Sequence, residues 1–307
     1  MASRFIALLF LSLCLCGCTT TARSRAGLET DRFSASGMAR LDRHRFVIVN
    51  DTKDGETGYR IGLLDFTDRS YPRYVALTAN WNDVGGPSHD LEAACSIPGR
   101  EGEFLIAESA YRGERYGRVF HCRLAPDERG NQSVHIIQTL MLPRFYDQIE
   151  GMACGLAANG NLILLLGERG TDEQPARLSW GDLTISERAI SFQFQNEFTF
   201  TAPGLPSSAN VRDCSDLFID SQNRLWASAV IDNGDEGPFQ SVIYQLGQFD
   251  PHRRRPLMST NPIEATWRVD GFKIDAISES LHDPASLSFV SDDGNLGGIW
   301  RSLPHPR

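Results

Sequence analysis

Five oxygen-bearing residues recur along the chain at similar intervals. They are Ser36, Glu92, Glu150, Ser215 and Asp275, which are separated by 56, 58, 65 and 60 residues. The segment SGMA that begins at Ser36 matches the segment EGMA that begins at Glu150 in all but the first residue. Carboxylates and hydroxyls are hard oxygen donors of the kind that calcium binds, with about six to eight ligands per ion. Brought together, these residues could therefore hold a calcium ion.

The elements that must position these residues are short strands in a repeated unit. Each unit contains short apolar or alternating runs separated by turns rich in Asp, Asn, Gly and Pro, and helical periodicity is nearly absent. The units span 36–81, 91–142, 149–200, 215–269 and 274–303. Repeats of four-stranded units arranged radially are the blades of a β-propeller. The sequence therefore predicts an all-β fold, a single propeller of five four-stranded blades.

The number of blades depends on how the ring is closed. The fifth unit lacks a fourth strand before the chain stops at Arg307. An N-terminal strand at residues 27–33 could supply it and close the ring. A six-bladed propeller is the alternative, and it would need an extra blade within a longer segment such as 186–212.

The innermost strands of a propeller line its central channel, so one residue per blade at the same height forms a ring. Three carboxylates in such a ring repel one another, and their pKa values rise unless protons, basic side chains or a cation neutralise them. No Lys or Arg occupies the five ring positions themselves. We therefore expect bound calcium. The alternative is that these acids bind backbone N–H groups at strand starts and hold water.

Two families resemble this pattern. The order Ser, Glu, Glu, Ser, acidic, with Glu92-Ala93-Ala94-Cys95, resembles the central calcium site of the five-bladed calcium-activated apyrases. The resemblance implies that Ser36, Glu92, Glu150, Ser215 and Asp275 are calcium ligands and that the substrates are nucleoside di- or triphosphates. Asp275 departs from the pattern, which has a longer Glu. The segment IEGMACGLAANGNLILLLGERG is similar to the esterase-like phytases and related exported propellers.

Loops at the channel mouth could carry catalysis. The catalytic candidates are Asp90, Glu108, Arg112 and Arg169. Arginines, with Arg212 and Lys273, could bind phosphate oxygens, while a metal polarises the phosphoryl group and Asp90 or Glu108 activates water. Each of these charged residues could equally be a solvated surface residue.

Other sites are not indicated. The chain has no GxSxG, Walker A or GxGxxG motif and no zinc-type cluster. A net charge of −9 argues against nucleic acid as a partner. Three functions remain: a calcium-dependent hydrolase of a phosphorylated or nucleotide-like substrate, a non-catalytic propeller that binds a protein or a small molecule, and a lactonase or esterase.

The first residues indicate export. Arg4 precedes an apolar run from Phe5 to Leu15, which is too short to cross a bilayer because about 20 residues are needed. Leu15-Cys16-Gly17-Cys18 resembles the bacterial lipobox, which implies a signal peptide at 1–17 and lipidation of Cys18. Residues 18–30 are then a tether and 31–307 the propeller. Cleavage as an ordinary secretory signal is the alternative.

The anchor predicts a membrane partner and a location in the bacterial cell envelope. Acyl chains on Cys18 would hold the protein at a membrane surface. Thr19 follows the cysteine and favours the outer membrane. In an exported domain, Cys95, Cys122, Cys154 and Cys214 could form disulfides in any of three pairings or remain buried thiols.

Overall fold

The repeated apolar runs form antiparallel sheets, and each predicted innermost strand begins a sheet. The computed structural model describes residues 22–23, 34–53, 56, 58–68, 72–109, 115–170, 174–206, 210–281, 283 and 285–305. The five innermost strands contact one another in a closed cycle from the first blade to the fifth and back to the first. Sheets arranged in such a cycle form a β-propeller, so the predicted all-β, five-bladed architecture is confirmed.

The strands are numbered in chain order. The N-terminal strand is β1, Ala22–Arg23. Blade 1 contains β2 Ala35–Arg40, β3 Arg45–Asn50, β4 Ile61–Asp65 and β5 Arg73–Ala79. Blade 2 contains β6 Leu91–Ser96, β7 Glu103–Glu108, β8 Arg118–Pro126 and β9 Gln132–Met141. Blade 3 contains β10 Ile149–Leu156, β11 Leu162–Glu168, β12 Ala176–Ile185 and β13 Ile190–Phe200.

The last two blades complete the ring. Blade 4 contains β14 Val211–Ile219, β15 Arg224–Ile231, β16 Gln240–Asp250, β17 Arg255–Met258 and β18 Ala265–Asp270. Blade 5 contains β19 Ile274–Glu279, β20 Leu287–Ser291 and β21 Ile299–Ser302, with β1 at its outer edge. Short 3₁₀ turns occur at Asn82–Val84 and Gly294–Leu296.

The ring is closed by an N-terminal strand, as predicted, although at a different place. Strand β1 pairs with β21 through Ala22 and Trp300 and through Arg23 and Ile299. The expected closing segment, 27–33, lies outside the described residues. Residues 186–206 and 210–212 contribute to the long strand β13 and to the start of β14, so no sixth blade forms there.

Two blades depart from the simple four-stranded pattern. In blade 4 the outer position is divided, because β17 pairs with one half of β16 and β18 pairs with the other half. Blades 1 and 2 are joined at their outer edges, where β5 and β9 pair in parallel through Thr78 with Ser133 and Ala79 with Val134. The pairing of β5 with β9 covers the outer edges of blades 1 and 2, which would otherwise be open.

The core lies between neighbouring blades. Strand β11 is buried at all of its seven positions because blades cover both of its faces. This explains why the sequence LILLLGE is a continuous apolar run, whereas a strand with one solvent face would alternate. Burial of apolar surface contributes about 25 cal/mol per Å². The interfaces between blades are therefore the main source of stability.

Glycine permits the innermost strands to pack closely. A Cβ atom at Gly37 would lie 2.8 Å from backbone atoms of Ala93 and Ala94 in the next blade. A Cβ atom at Gly151 would likewise lie 2.8 Å from backbone atoms of Asp216 and Leu217. The glycine after the ring residue is thus required by the contact between adjacent inner strands.

A buried carboxyl group links three inner strands below the ring. The Asp216 side chain accepts a hydrogen bond from the Ile277 backbone N–H at 2.8 Å and also from the N–H groups of Leu217 and Met152. Burial raises the pKa of Asp216 well above its usual value. The residue connects blades 3, 4 and 5 and does not line the pocket described below.

Two sequence predictions concern covalent features. All four cysteines of the propeller, Cys95, Cys122, Cys154 and Cys214, are buried free thiols. The signal peptide and Cys18 lie outside the described residues. Among the residues that the structure describes, no helix has the length and hydropathy needed to cross a membrane.

Candidate functional site

In every blade the ladder between the first and second strands is irregular at the predicted ring position. Pairing passes from Leu91 to Ala93 and omits Glu92, and it passes from Ile149 to Gly151 and omits Glu150. The same interruption occurs at Ser36 and Asp275, and in blade 4 it spans residues 213–215. Bulges re-aim side chains and are frequent beside functional sites. The five positions are therefore structurally equivalent.

The structure brings four of the five together at one end of the channel. Ser36, Glu92, Glu150 and Asp275 line a pocket of about 230 Å³. Ser215 is buried and does not line the pocket, and its hydroxyl has no hydrogen-bond partner among the described residues. Loop and strand-end residues complete the lining, namely Asp51, Lys53, Asp90, Ser109, Gln148, Arg169, Arg212, Lys273 and Asp292.

Blades 1 and 2 supply a cluster of carboxylates. Oxygen atoms of Asp51, Asp90 and Glu92 all lie within 4.8 Å of one another. The Lys53 ammonium group contacts Asp90 and lies 3.7 Å from Asp51. Burial raises the pKa of Glu92 well above its usual value, and the charges of Glu150, Asp90 and Asp51 raise it further. Lys53 opposes this rise through its positive charge.

Asp90 is held in a conformation that L-residues rarely adopt. Its φ angle is 62°, in the left-handed region, where Asp and Asn occur more often than other non-glycine residues. Its backbone N–H donates to Thr52 O at 3.2 Å, and its carbonyl accepts from the Ser109 N–H at 2.9 Å. Strained backbone of this kind is concentrated at functional sites.

Blades 3 and 4 supply two arginines around Glu150. Arg169 Nη1 lies 3.5 Å from Glu150 Oε1, and Arg212 Nη1 lies 3.8 Å from Glu150 Oε2. Arg212 Nη2 also contacts Asp232 Oδ2 at 2.5 Å. Burial raises the pKa of Glu150, while the charges of Arg212 and Arg169 oppose that rise. Glu150 is therefore compensated by side chains of the protein.

Blade 5 supplies a lysine beside Asp275. Lys273 Nζ lies 3.3 Å from Asp275 Oδ2 and 3.3 Å from Asp292 Oδ2. The other oxygen of Asp275 is buried without a hydrogen-bond partner among the described residues. Burial raises the pKa of Asp275 to about 7 in spite of the neighbouring Lys273. This carboxyl group titrates near neutral pH.

The cationic side chains that neutralise these carboxylates lie outside the five ring positions. Lys273 precedes Asp275 by two residues and Arg212 precedes Ser215 by three, while Arg169 and Lys53 follow the second strands of their blades. These cations provide the neutralisation for which calcium was expected. The three carboxylates close enough to share one ion are Asp51, Asp90 and Glu92, only one of which belongs to the ring. Calcium binding stays a prediction.

The other catalytic candidates occupy different environments. Asp90 and Arg169 line the pocket, and Arg112 lies outside the described residues. Glu108 is fully buried and does not line the pocket. Its Oε1 accepts from the His89 N–H at 2.9 Å and from Arg118 Nη2 at 2.6 Å, and its Oε2 accepts from the backbone N–H groups of Gly117 and Arg118. Glu108 thus holds the loops in place.

Blade 3 contains a Glu–Arg ion pair at the same place as the Glu108–Arg118 pair of blade 2. Glu168, at the end of β11, accepts a hydrogen bond from the Asp147 N–H at 2.9 Å and pairs with Arg177 in β12. Glu108 and Arg118 hold the corresponding positions in blade 2. Sequence reasoning missed the pattern, although a Glu that ends the second strand and an Arg that begins the third recur in both blades.

Comparison with known proteins identifies the fold. No family model matches the chain, and no curated protein matches it. A GH43_1 enzyme from Xanthomonas citri complexed with xylose is 9% identical, with 94% of this chain and 90% of that chain covered and a TM-score of 0.51. An exo-1,5-alpha-L-arabinanase from a bovine ruminal metagenomic library is 12% identical, with 89% and 93% covered and a TM-score of 0.50. At these identities the likeness supports the β-propeller fold alone.

Proposed function

We propose that the protein is a hydrolase of small anionic substrates of the phosphoester or phosphoanhydride class and that the pocket at the channel mouth is its active site. The observation that carries this proposal is the position of the cationic side chains within the pocket. Three of the four that line it, Arg169, Arg212 and Lys273, come from blades 3 to 5, where they contact Glu150, Asp275 and Asp292. Blades 1 and 2 present Asp51, Asp90 and Glu92 around a single cation, Lys53.

The cationic side suits a phosphate group. Arg169 and Glu150 are 3.5 Å apart and Lys273 and Asp275 are 3.3 Å apart, which are long distances for hydrogen bonds between charged groups. Phosphate oxygens could replace these weak contacts with shorter ones, because guanidinium binds phosphate in a bidentate manner. The pocket of about 230 Å³ has room for a phosphoryl group and the atoms next to it.

The acidic side suits proton transfer. Burial and neighbouring carboxylates raise the pKa of Glu92, which suits it to donate a proton to the leaving oxygen. Asp90, beside Lys53, can accept a proton from the attacking water. The same three carboxylates fit calcium in ligand type, and a bound cation would polarise the phosphoryl group. Lys53 would then have to leave the cluster.

The test is phosphate release by the purified protein from p-nitrophenyl phosphate and from nucleoside di- and triphosphates, each with calcium, magnesium or chelator. We expect Glu92→Gln to lower kcat about 100-fold or more, since general acid catalysis contributes about 10² to 10⁴. Arg169→Met should chiefly raise KM. Glu128→Gln, at an exposed turn, should behave as the wild type. No turnover of any of these substrates under any condition would refute the proposal.

Glycoside hydrolysis is the second candidate. The pKa of Asp275 is raised to about 7 and the pKa of Glu92 is raised well above its usual value, so the pocket holds two carboxyl groups with raised pKa values that could serve as an acid and base pair. The proteins of similar fold named above include an arabinanase. Turnover of aryl arabinosides or xylosides in chelator would favour this candidate over the first. Phosphate binding without turnover would instead indicate a non-catalytic propeller.

A lactonase or esterase is a weaker candidate. Ser36 and Ser109 line the pocket, but no histidine of the described residues does so, and a serine nucleophile needs such a base. Hydrolysis of lactones or short aryl esters that is lost on replacing Ser109 by Ala would favour this candidate.

We also propose that the protein is anchored in the bacterial outer membrane through lipid on Cys18. Support comes from the lipobox-like segment Leu15-Cys16-Gly17-Cys18 and from the apolar run before it. Labelling with a radioactive or alkynyl fatty acid tests the anchor, with Cys18→Ser as the control that should carry no label. Separation of inner and outer membranes tests the location.

A further inference from the structure

The lining of the channel changes from polar to mainly apolar beyond the ring residues. The residues two positions after the five ring residues are all apolar, and together they line a second cavity of about 110 Å³, to which we refer as the apolar tier: Met38, Ala94, Met152, Leu217 and Ile277. These residues belong to the same five innermost strands as the ring residues, so the tier lies further along the same channel. It is independent of the proposed active site.

Sulfur atoms are concentrated in the apolar tier. Its lining includes Cys95, Cys154, Met152 and Met38. Cys95, Met152 and Cys154 also belong to one apolar cluster between blades 2 and 3. A thiolate at Cys154 would raise the pKa of Cys95, which places the two thiols within electrostatic range of each other. Adjacent inner strands thus bring together sulfur atoms that are far apart in the sequence.

The two channel cysteines differ from the other two. Cys95 is 8% exposed and Cys154 is 7% exposed, whereas Cys122 and Cys214 are fully buried and do not line the cavity. Both residues of the channel pair therefore contribute to the cavity wall. Buried cysteine and methionine often serve only as packing. Two cysteines and a methionine in the wall of one cavity also present soft ligand atoms of the kind that some metals bind.

We propose that the apolar tier binds a soft monovalent metal ion of the Cu(I) type through the sulfur atoms of Cys95, Cys154 and Met152. Thiolates and thioethers select Cu(I), while hard cations prefer oxygen ligands such as those of the upper pocket. A three-coordinate sulfur site needs no other ligand. The site is distinct from the calcium-type cluster in position and in ligand chemistry.

Two neutral thiols lose two protons when one Cu(I) ion forms two copper–thiolate bonds, and the Met152 thioether completes the coordination without a charge. The oxidation state of copper does not change. The product carries one negative charge, and the lining of the cavity includes one cationic side chain, Arg40, which also pairs with Glu279. Burial raises the pKa values of both thiols, so loading is favoured by higher pH.

The test is anaerobic titration of the full chain with Cu(I) in competition with a chromogenic Cu(I) chelator. Wild-type protein should bind one ion more tightly than Cys95→Ser and Cys154→Ser do, by at least 100-fold. Affinity should rise about 100-fold per pH unit because two protons are released. Cys122→Ser is the matched control and should bind as the wild type, since its sulfur lies outside the cavity.

A second measurement does not depend on the folding of variants. Copper-loaded wild type should be protected from alkylation at Cys95 and Cys154 when modified residues are identified by mass spectrometry. Equal Cu(I) affinity in the wild type and in both cavity variants would overturn the proposal. Loss of affinity in Cys122→Ser, or a Cys95–Cys154 disulfide that persists in protein isolated without oxidant, would also overturn it.

Discussion

Glu92 and Glu150 are the residues omitted from the first ladder of adjacent blades, and the charge of Glu150 raises the pKa of Glu92. The two nevertheless have different partners. Glu150 lies within 4 Å of Arg169 and Arg212, whereas Glu92 lies among Asp51 and Asp90. One position in the repeat therefore gives an ion-paired carboxylate in blade 3 and, in blade 2, a carboxyl group whose pKa is raised by its acidic neighbours.

The titration of Asp275 should make stability depend on pH. Its pKa is 3.8 in an unperturbed chain and about 7 in the folded protein, so the folded state holds its proton to higher pH. The free energy of unfolding should therefore fall as pH rises through this window, by up to about 1.4 kcal/mol per pH unit. Urea unfolding at several pH values should show this slope reduced in Asp275→Asn.

Asp232 is a control whose effect on stability should depend on pH in the opposite direction. Burial raises its pKa, but Arg212 and Lys273 outweigh that effect, and the pKa is lowered overall. Its contribution to stability is present above the unperturbed pKa of 3.8 and is lost as pH falls through the lower folded value. Asp232→Asn should therefore lose stability at neutral pH.

For Asp275, a steeper fall of the unfolding free energy with pH in Asp275→Asn than in the wild type would contradict the raised pKa of this residue.

Removal of Lys53 should strengthen calcium binding. Lys53 contacts Asp90 and lies 3.7 Å from Asp51, so its charge competes with a cation for the same oxygens. We expect Lys53→Met to be less stable than the wild type in chelator and to bind calcium about tenfold more tightly, or about 1.4 kcal/mol. Thermal unfolding across a calcium titration measures both effects.

The matched control for Lys53 is another lysine of the pocket. Lys273 lies beside Asp275 and Asp292, away from the carboxylate cluster. Lys273→Met should therefore leave the calcium response unchanged. A calcium response that is absent from both Lys53→Met and the wild type would refute a calcium site at Asp51, Asp90 and Glu92.

The sequence predicted the repeat because inner strands carry a local signature. The match of SGMA with EGMA depends on a bulged residue followed by a glycine that packs against the next blade, and both requirements act within a few residues. The same constraints explain why the five blades were predicted correctly. The closing strand was misplaced because its pairing depends on residues at the opposite end of the chain.

The electrostatics of the pocket were less predictable. Whether Glu92 meets a cation or another carboxylate depends on which loops cross the channel mouth, and spacing along the chain does not determine that. Glu108 illustrates the difficulty. In sequence it is an acidic loop residue, but in the structure its oxygens are occupied by Arg118 and by backbone N–H groups. The sulfur atoms of Cys95 and Cys154 likewise meet only when blades 2 and 3 pack together.

Alanine at Gly37 or Gly151 should destabilise the propeller. The added Cβ would lie 2.8 Å from backbone atoms of the next inner strand, and backbone cannot move as a side chain can. We expect each variant to lose about 2 kcal/mol or more of unfolding free energy, as overpacking does. Gly37 also faces a Val49 methyl group at 2.7 Å. In urea unfolding, adding Val49→Ala to Gly37→Ala should restore little of the lost stability. Full recovery would show that the clash is with the Val49 side chain and not with the backbone of the next strand.

Glu108→Gln should cost stability rather than catalysis. Glu108 and Arg118 are both almost fully buried, with 0% and 3% of their side chains exposed, so loss of the carboxylate charge leaves a buried guanidinium without its counter-ion. Breaking such a pair costs about 3 kcal/mol. Glu168→Gln is the matched variant, and it should cost about 1 kcal/mol, because Arg177 is 28% exposed and water can replace part of the interaction. Urea unfolding gives both values. If Glu108→Gln unfolds like the wild type but loses turnover, Glu108 would instead have a role in catalysis.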